Sequence, residues 1–83
     1  MVRLELEERL LAEPLPGSIR HTQEGHTLVL QLPPGDTVQQ TLEKHGVHLT
    51  QPVIAVVNQR TADFTQMLED GDNVRLLSQI AGG

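Results

Sequence analysis

The sequence predicts an α+β domain, a sheet of strands with a single helix against one face. Three observations carry this: short runs of alternating apolar and polar residues near both ends, one capped helical segment in the middle, and a β-branched apolar run after it. At 83 residues the chain has room for one small domain.

Val2, Leu4 and Leu6 alternate with Arg3, Glu5 and Glu7, the period-two pattern of a strand with one face on a core. The pattern breaks at Glu8-Arg9, and Leu10-Leu11-Ala12 either continues the strand or turns away from it. Pro14, Pro16 and Gly17 mark a loop. From His26 to Leu32 the alternation returns, with Leu28, Leu30 and Leu32 on one face; two antiparallel strands joined through the Pro/Gly loop are expected. Pro33-Pro34-Gly35 ends the second strand, because proline has no N–H for the ladder. Thr37 and Gln40 then have the spacing of a capping box, and Asp36 sits near the positive end of the helix they open. Val38 and Leu42 form its buried stripe, and Gly46 supplies a left-handed stop about ten residues on.

Val53-Ile54-Ala55-Val56-Val57 reads as a strand, too short for an independent helix and rich in β-branched residues. Asn58-Gln59-Arg60 reads as the turn leaving it. Phe64, Met67 and Leu68 suggest a short strand or a helical turn. Asp70-Gly71-Asp72-Asn73 is a tight turn, and Val74 and Leu76 are the inward residues of a last strand, leaving Arg75 and Leu77 outward.

Composition narrows the function classes. There is no cysteine, which excludes disulfides, thiolate metal sites and a catalytic or persulfide-forming thiol within the chain. A small domain without such staples fits a reducing cytoplasm. No apolar run approaches the roughly 18 residues that span a bilayer. Eleven acidic residues against six Lys and Arg disfavour nucleic acid and anionic membranes and favour a basic protein partner. The one aromatic residue, Phe64, gives no platform on which bases could stack.

Few side chains point to catalysis. His21, His26, His45 and His48 have no ligand-motif spacing, so no metal is expected. The acidic pairs Glu7-Glu8 and Glu69-Asp70 have no nucleophile or base beside them in a recognisable set and read as solvated surface. Pro34-Gly35-Asp36 lacks the glycines and the lysine of a phosphate loop, so any ATP would be bound by a partner. The last residues, Gln79-Ile80-Ala81-Gly82-Gly83, follow the final strand with no turn, cap or core role. Without Cβ atoms, Gly82 and Gly83 are expected to be slim and flexible enough to thread a narrow channel. Their distinctive group is the α-carboxylate, which an ATP-dependent enzyme can convert to an acyl-adenylate and a sulfur nucleophile to a thiocarboxylate. Two terminal glycines also arise by chance in roughly one chain in two hundred, so the order of elements before them carries the inference.

That order does point somewhere. The Gly35-Asp36-Thr37 helix cap, the strand ending Val57-Asn58-Gln59, the run Leu68-Glu69-Asp70-Gly71-Asp72-Asn73-Val74 and the terminal Ala81-Gly82-Gly83 together resemble the ubiquitin-like β-grasp sulfur carriers. These include the small subunit of molybdopterin synthase and the thiamine-pathway sulfur carrier. The resemblance is good from about Val38 to Gly83 and rests on pattern alone before that. It implies a mixed four- to five-stranded sheet packed on one helix over residues 1–78, with a flexible tail over 79–83. It implies a carrier rather than an enzyme, with Gly83 adenylated by a ubiquitin-activating-like adenylyltransferase, thiocarboxylated, and presented to a sulfur-accepting synthase. Gly82 would share the reacting site, and Arg75, Leu77, Ile80 and Ala81 would contact partners. Chain length resembles the molybdopterin subunit, whereas Leu76-Leu77-Ser78-Gln79 resembles the thiamine branch, so both pathways stay open. Two alternatives use the same residues differently: a protein modifier joined through Gly83 to lysines, and an interaction module with an inert tail.

Overall fold

The computed structural model describes residues 1–79. Its elements run β1 (Val2–Glu7), a 3-10 turn (Glu8–Leu10), β2 (Arg20–Glu24), β3 (Thr27–Leu32), α1 (Val38–Lys44), β4 (Val53–Val57), β5 (Arg60–Ala62) and β6 (Asn73–Ser78). The strands form one sheet in the order β2-β3-β1-β6-β4-β5. Neighbours are antiparallel except at the centre, where β1 and β6 run parallel with Leu4 opposite Val74. This mixed sheet with one helix is the expected β-grasp, with six strands in place of four or five. Ile80, Ala81, Gly82 and Gly83, most of the expected tail, lie outside the described residues.

The alternation predicted for β1, β3 and β6 is the one observed. Val2, Leu4 and Leu6, then Leu28, Leu30 and Leu32, then Val74 and Leu76 all turn to one side and are buried. Val38 and Leu42 of α1 complete that core with Ala55, Val57 and Leu68. A helix of seven residues is too short to persist alone, and its first turn shows what holds it. Thr37 Oγ1 accepts from the Gln40 N–H while Gln40 Oε1 accepts from the Thr37 N–H, a complete capping box. The Val38 and Gln39 N–H groups, which no helical carbonyl can reach, donate to Gln66 and Phe64 at 3.1 and 3.0 Å. The segment 64–68, expected as a strand or helical turn, is therefore an irregular strap over the helix start. It forms one isolated bridge, Met67 to Thr37, and buries Leu68. Asp36 forms an ion pair with Lys44 at 3.3 Å. At the other end Gly46, at φ 71°, makes the predicted left-handed stop.

Two strands were not expected. β2 has five exposed residues and therefore no apolar alternation to betray it. It is set by the two-residue turn Gly25-His26, with Gly25 at φ 61°, which folds Glu24 back against Thr27. β5 is three residues long, and residues Asn58 and Gln59, both at positive φ, turn β4 into it. Asn58 is held in that conformation by its side chain: Nδ2 donates to Asp72 and Oδ1 accepts from the Asn73 N–H at 2.9 and 3.0 Å. Asp72 also accepts from the Glu69 N–H, so one polar cluster fixes both the β4–β5 turn and the entry to β6.

The α-ammonium of Met1 pairs with Asp70, and the Gly71 N–H donates to the Met1 carbonyl, tying the start of β1 to the turn before β6. The ammonium beside it holds the Asp70 carboxyl below its ordinary value of 3.8, chiefly through the hydrogen bond. The folded form is therefore favoured above that ordinary value, and this contribution fades as pH falls through the lower folded-state value. An NMR titration of Asp70 should show the depressed value with a free Met1 ammonium. An added N-terminal extension should return it toward the ordinary value. Separately, Thr37→Ala should cost about 1 kcal/mol, read as a melting temperature lowered by about 4–8 °C.

Candidate functional site

The face of the sheet turned away from α1 is uncovered. Along β6 it presents Asn73, Arg75 and Leu77, all exposed. Leu77 lies directly across from Ile54 of β4, and Arg75 lies between Val56 of β4 and Glu5 of β1. Residues opposite one another on neighbouring strands bring their side chains together, so Leu77 and Ile54 form an exposed apolar pair, at 41% and 37% exposure. Next to it, Arg75 Nε donates to Glu5 at 3.0 Å, and Arg3 reaches the other Glu5 oxygen at 3.7 Å. One carboxylate thus sits between two guanidinium groups, and the patch couples an apolar step to a mainly cationic one on an otherwise acidic chain.

β6 carries this patch toward the chain end. Its last residue is Ser78, and the Gln79 N–H donates to the Pro52 carbonyl at 3.2 Å, two residues beyond Leu77. Of the residues singled out in the sequence, the structure brings Arg75 and Leu77 onto one surface. Ile80, Ala81, Gly82 and Gly83 lie outside the described residues. Arg75, open in the sequence to a partner carboxylate or to solvent, is engaged by Glu5 within its own sheet. Ile54 is the residue that sequence reasoning missed. It sits within an unbroken apolar run, where period alone cannot say which residues face out; only the pairing of β4 with β6 shows that it stands beside Leu77.

Among the described residues no three His, Asp or Glu side chains are grouped to hold a metal ion. His21, His26, His45 and His48 stand on different parts of the fold: β2, its turn, the end of α1 and the following loop. Among the same residues no helix is long and apolar enough to cross a membrane.

A mixed sheet grasping one helix, with an exposed apolar pair beside the end of its central last strand, defines a small ubiquitin-like domain. The chain matches the ThiS family over residues 15–83 and belongs to that family. No curated protein and no solved structure matches the chain. Membership supports a general role as a sulfur carrier in biosynthesis of the thiamine or molybdopterin type. Proteins of this family are small carriers rather than catalysts, and work with activating and sulfur-transfer enzymes.

The two faces of β6 should respond differently to truncation. Leu76, 2% exposed, should cost about 2–5 kcal/mol as Leu76→Ala. Leu77→Ala on the open face should cost less than about 1 kcal/mol. Urea denaturation of the two variants measures the difference.

Proposed function

We propose that this chain carries sulfur on the carboxylate of Gly83. In the first step that carboxylate attacks the α-phosphorus of ATP held by a ubiquitin-activating-like adenylyltransferase, forming a Gly83 acyl-adenylate and releasing pyrophosphate. A hydrosulfide-equivalent nucleophile then attacks the acyl carbon, AMP leaves, and a thiocarboxylate remains. The thiocarboxylate sulfur passes to the substrate of a sulfur-accepting synthase, and water at the acyl carbon restores the carboxylate. The chain binds no cofactor in this cycle; ATP belongs to the activating partner. The product is a sulfur-containing cofactor or cofactor fragment of the molybdopterin or thiamine thiazole kind.

The observation that carries this reading is the family match, whose span runs through Gly82 and Gly83. The exposed Leu77–Ile54 pair supports it, because an apolar step two residues from Gln79 gives a partner something to grip while the chain end is in its active site. In this reading residues 1–78 are the gripped body and residues 79–83 carry the reacting end. Arg75, Ile80 and Ala81 extend the contact toward the reacting end, with Gly82 letting the activating enzyme close tightly around it.

Intact mass spectrometry after co-expression with an activating enzyme and a sulfur source tests the proposal. The expected result is a mass gain equal to exchanging one oxygen for sulfur, abolished by deleting Gly83 and reduced by Leu77→Asp combined with Ile54→Asp. An unchanged mass with a competent activating enzyme would overturn it. Adducts linked to lysines in place of the sulfur gain would assign the chain to protein modification instead.

A further inference from the structure

A second surface lies on the other side of the molecule, at the free edge of the sheet. β2 pairs with β3 alone among the described residues, so alternate N–H and C=O groups of Arg20–Glu24 point outward with no strand to receive them. Beside this edge, on the helix side of the sheet, runs a groove of about 530 Å³. Its far wall is the segment that follows the 3-10 turn, and its near wall is His21 and Gln23 of β2. Leu28 lies buried at its base, and Leu11 and Leu15, packed against the core yet half-open, give it an apolar floor. Glu8 and Glu13 stand on its rim. Gln23 donates to Glu8, fixing that carboxylate at the mouth without neutralising it, and the nearby Arg9 is engaged by Glu7 at 2.7 Å. The rim therefore keeps a net negative charge.

We infer that this edge and groove form a docking site for an extended segment of a partner protein, added to the sheet beside β2. Strand addition supplies the missing backbone hydrogen bonds, and every second side chain of the added segment then turns into the groove. Those inward residues must suit an apolar floor under an acidic rim. Leucine or valine over Leu11, Leu15 and Leu28, flanked by Lys or Arg whose stems lie on the apolar wall and whose charges reach Glu8 and Glu13, meet both demands. A second copy of this chain fits worse: every residue of β2, Arg20 to Glu24, is polar, so a copied β2 brings no apolar side chain to the groove, and the chain carries a net charge of −5. The site is separate from the exposed Leu77–Ile54 pair, neither residue of which lines it. Five of its lining residues, Glu8, Leu11, Ala12, Glu13 and Pro14, precede the span matched to the family.

The test uses the full chain, isotopically labelled, and a blocked peptide repeating Lys-Ser-Val-Ser-Leu-Ser. Amide shifts should concentrate in Arg20–Glu24 and residues 11–15, with slowed hydrogen exchange along β2. Glu13→Lys combined with Glu8→Gln should weaken binding about three- to tenfold without moving the urea midpoint. N-methylating alternate peptide bonds should abolish binding, since it removes the donors that strand addition needs. Deleting Gly82 and Gly83 should change nothing, which keeps this result independent of the carrier reading. Absence of shifts, shifts centred on β5, equal binding by a scrambled or N-methylated peptide, or self-association that occupies β2 without peptide would each overturn the inference.

Discussion

Parallel pairing of β1 with β6 is the constraint on which the rest of the structure depends. The first and last strands meet side by side in the middle of the sheet, and the other strands are arranged on either side of them. Val2, Leu4 and Leu6 on one strand and Val74 and Leu76 on the other then form the floor of the core, all essentially buried. The helix, the strap over residues 64–68 and both edge hairpins are additions to this central pair. In a chain without disulfides, long-range burial of apolar rows has to supply the stability that a small core otherwise lacks.

Such a frame separates the two kinds of surface a carrier needs. One face of the sheet is spent on the core, where α1 and Leu68 seal it. The opposite face is left open, and because side chains alternate along β6, the strand that buries Leu76 must show Leu77. Exposure of that leucine is thus a by-product of strand geometry. Its pairing with Ile54, however, is specific to the register of β4.

How much of this was legible in the sequence varies with the physical signal each element carries. β1, β3, β6 and α1 were readable because burial imposes a period and a cap imposes residue types: Leu28, Leu30 and Leu32 repeat every second position, and Thr37 with Gln40 closes a box. β2 was not, because an edge strand exposed on both faces has no apolar partner to select its residues. Its one signal was the Gly25-His26 turn, a two-residue hairpin loop with glycine first, which is local chemistry and not periodicity. β5 was missed for a similar reason: Arg60, its first residue, was read with Asn58 and Gln59 as a turn, and three residues bent back by Asn58 and Gln59 carry no period. At the candidate site, Arg75 and Leu77 followed from the alternation of one strand. Ile54 required knowing which strand lies next to it, and adjacency is a property of topology that no single segment encodes.

The side-by-side, same-direction arrangement of the first and last strands also decides how the domain responds to mechanical load. A pull applied between Met1 and the end of β6 would be directed along the two strands in opposite senses. Their hydrogen bonds would then bear the force together, in shear, and could not open one after another like a zip. By this geometry the body of the domain is braced against being unravelled by such a pull.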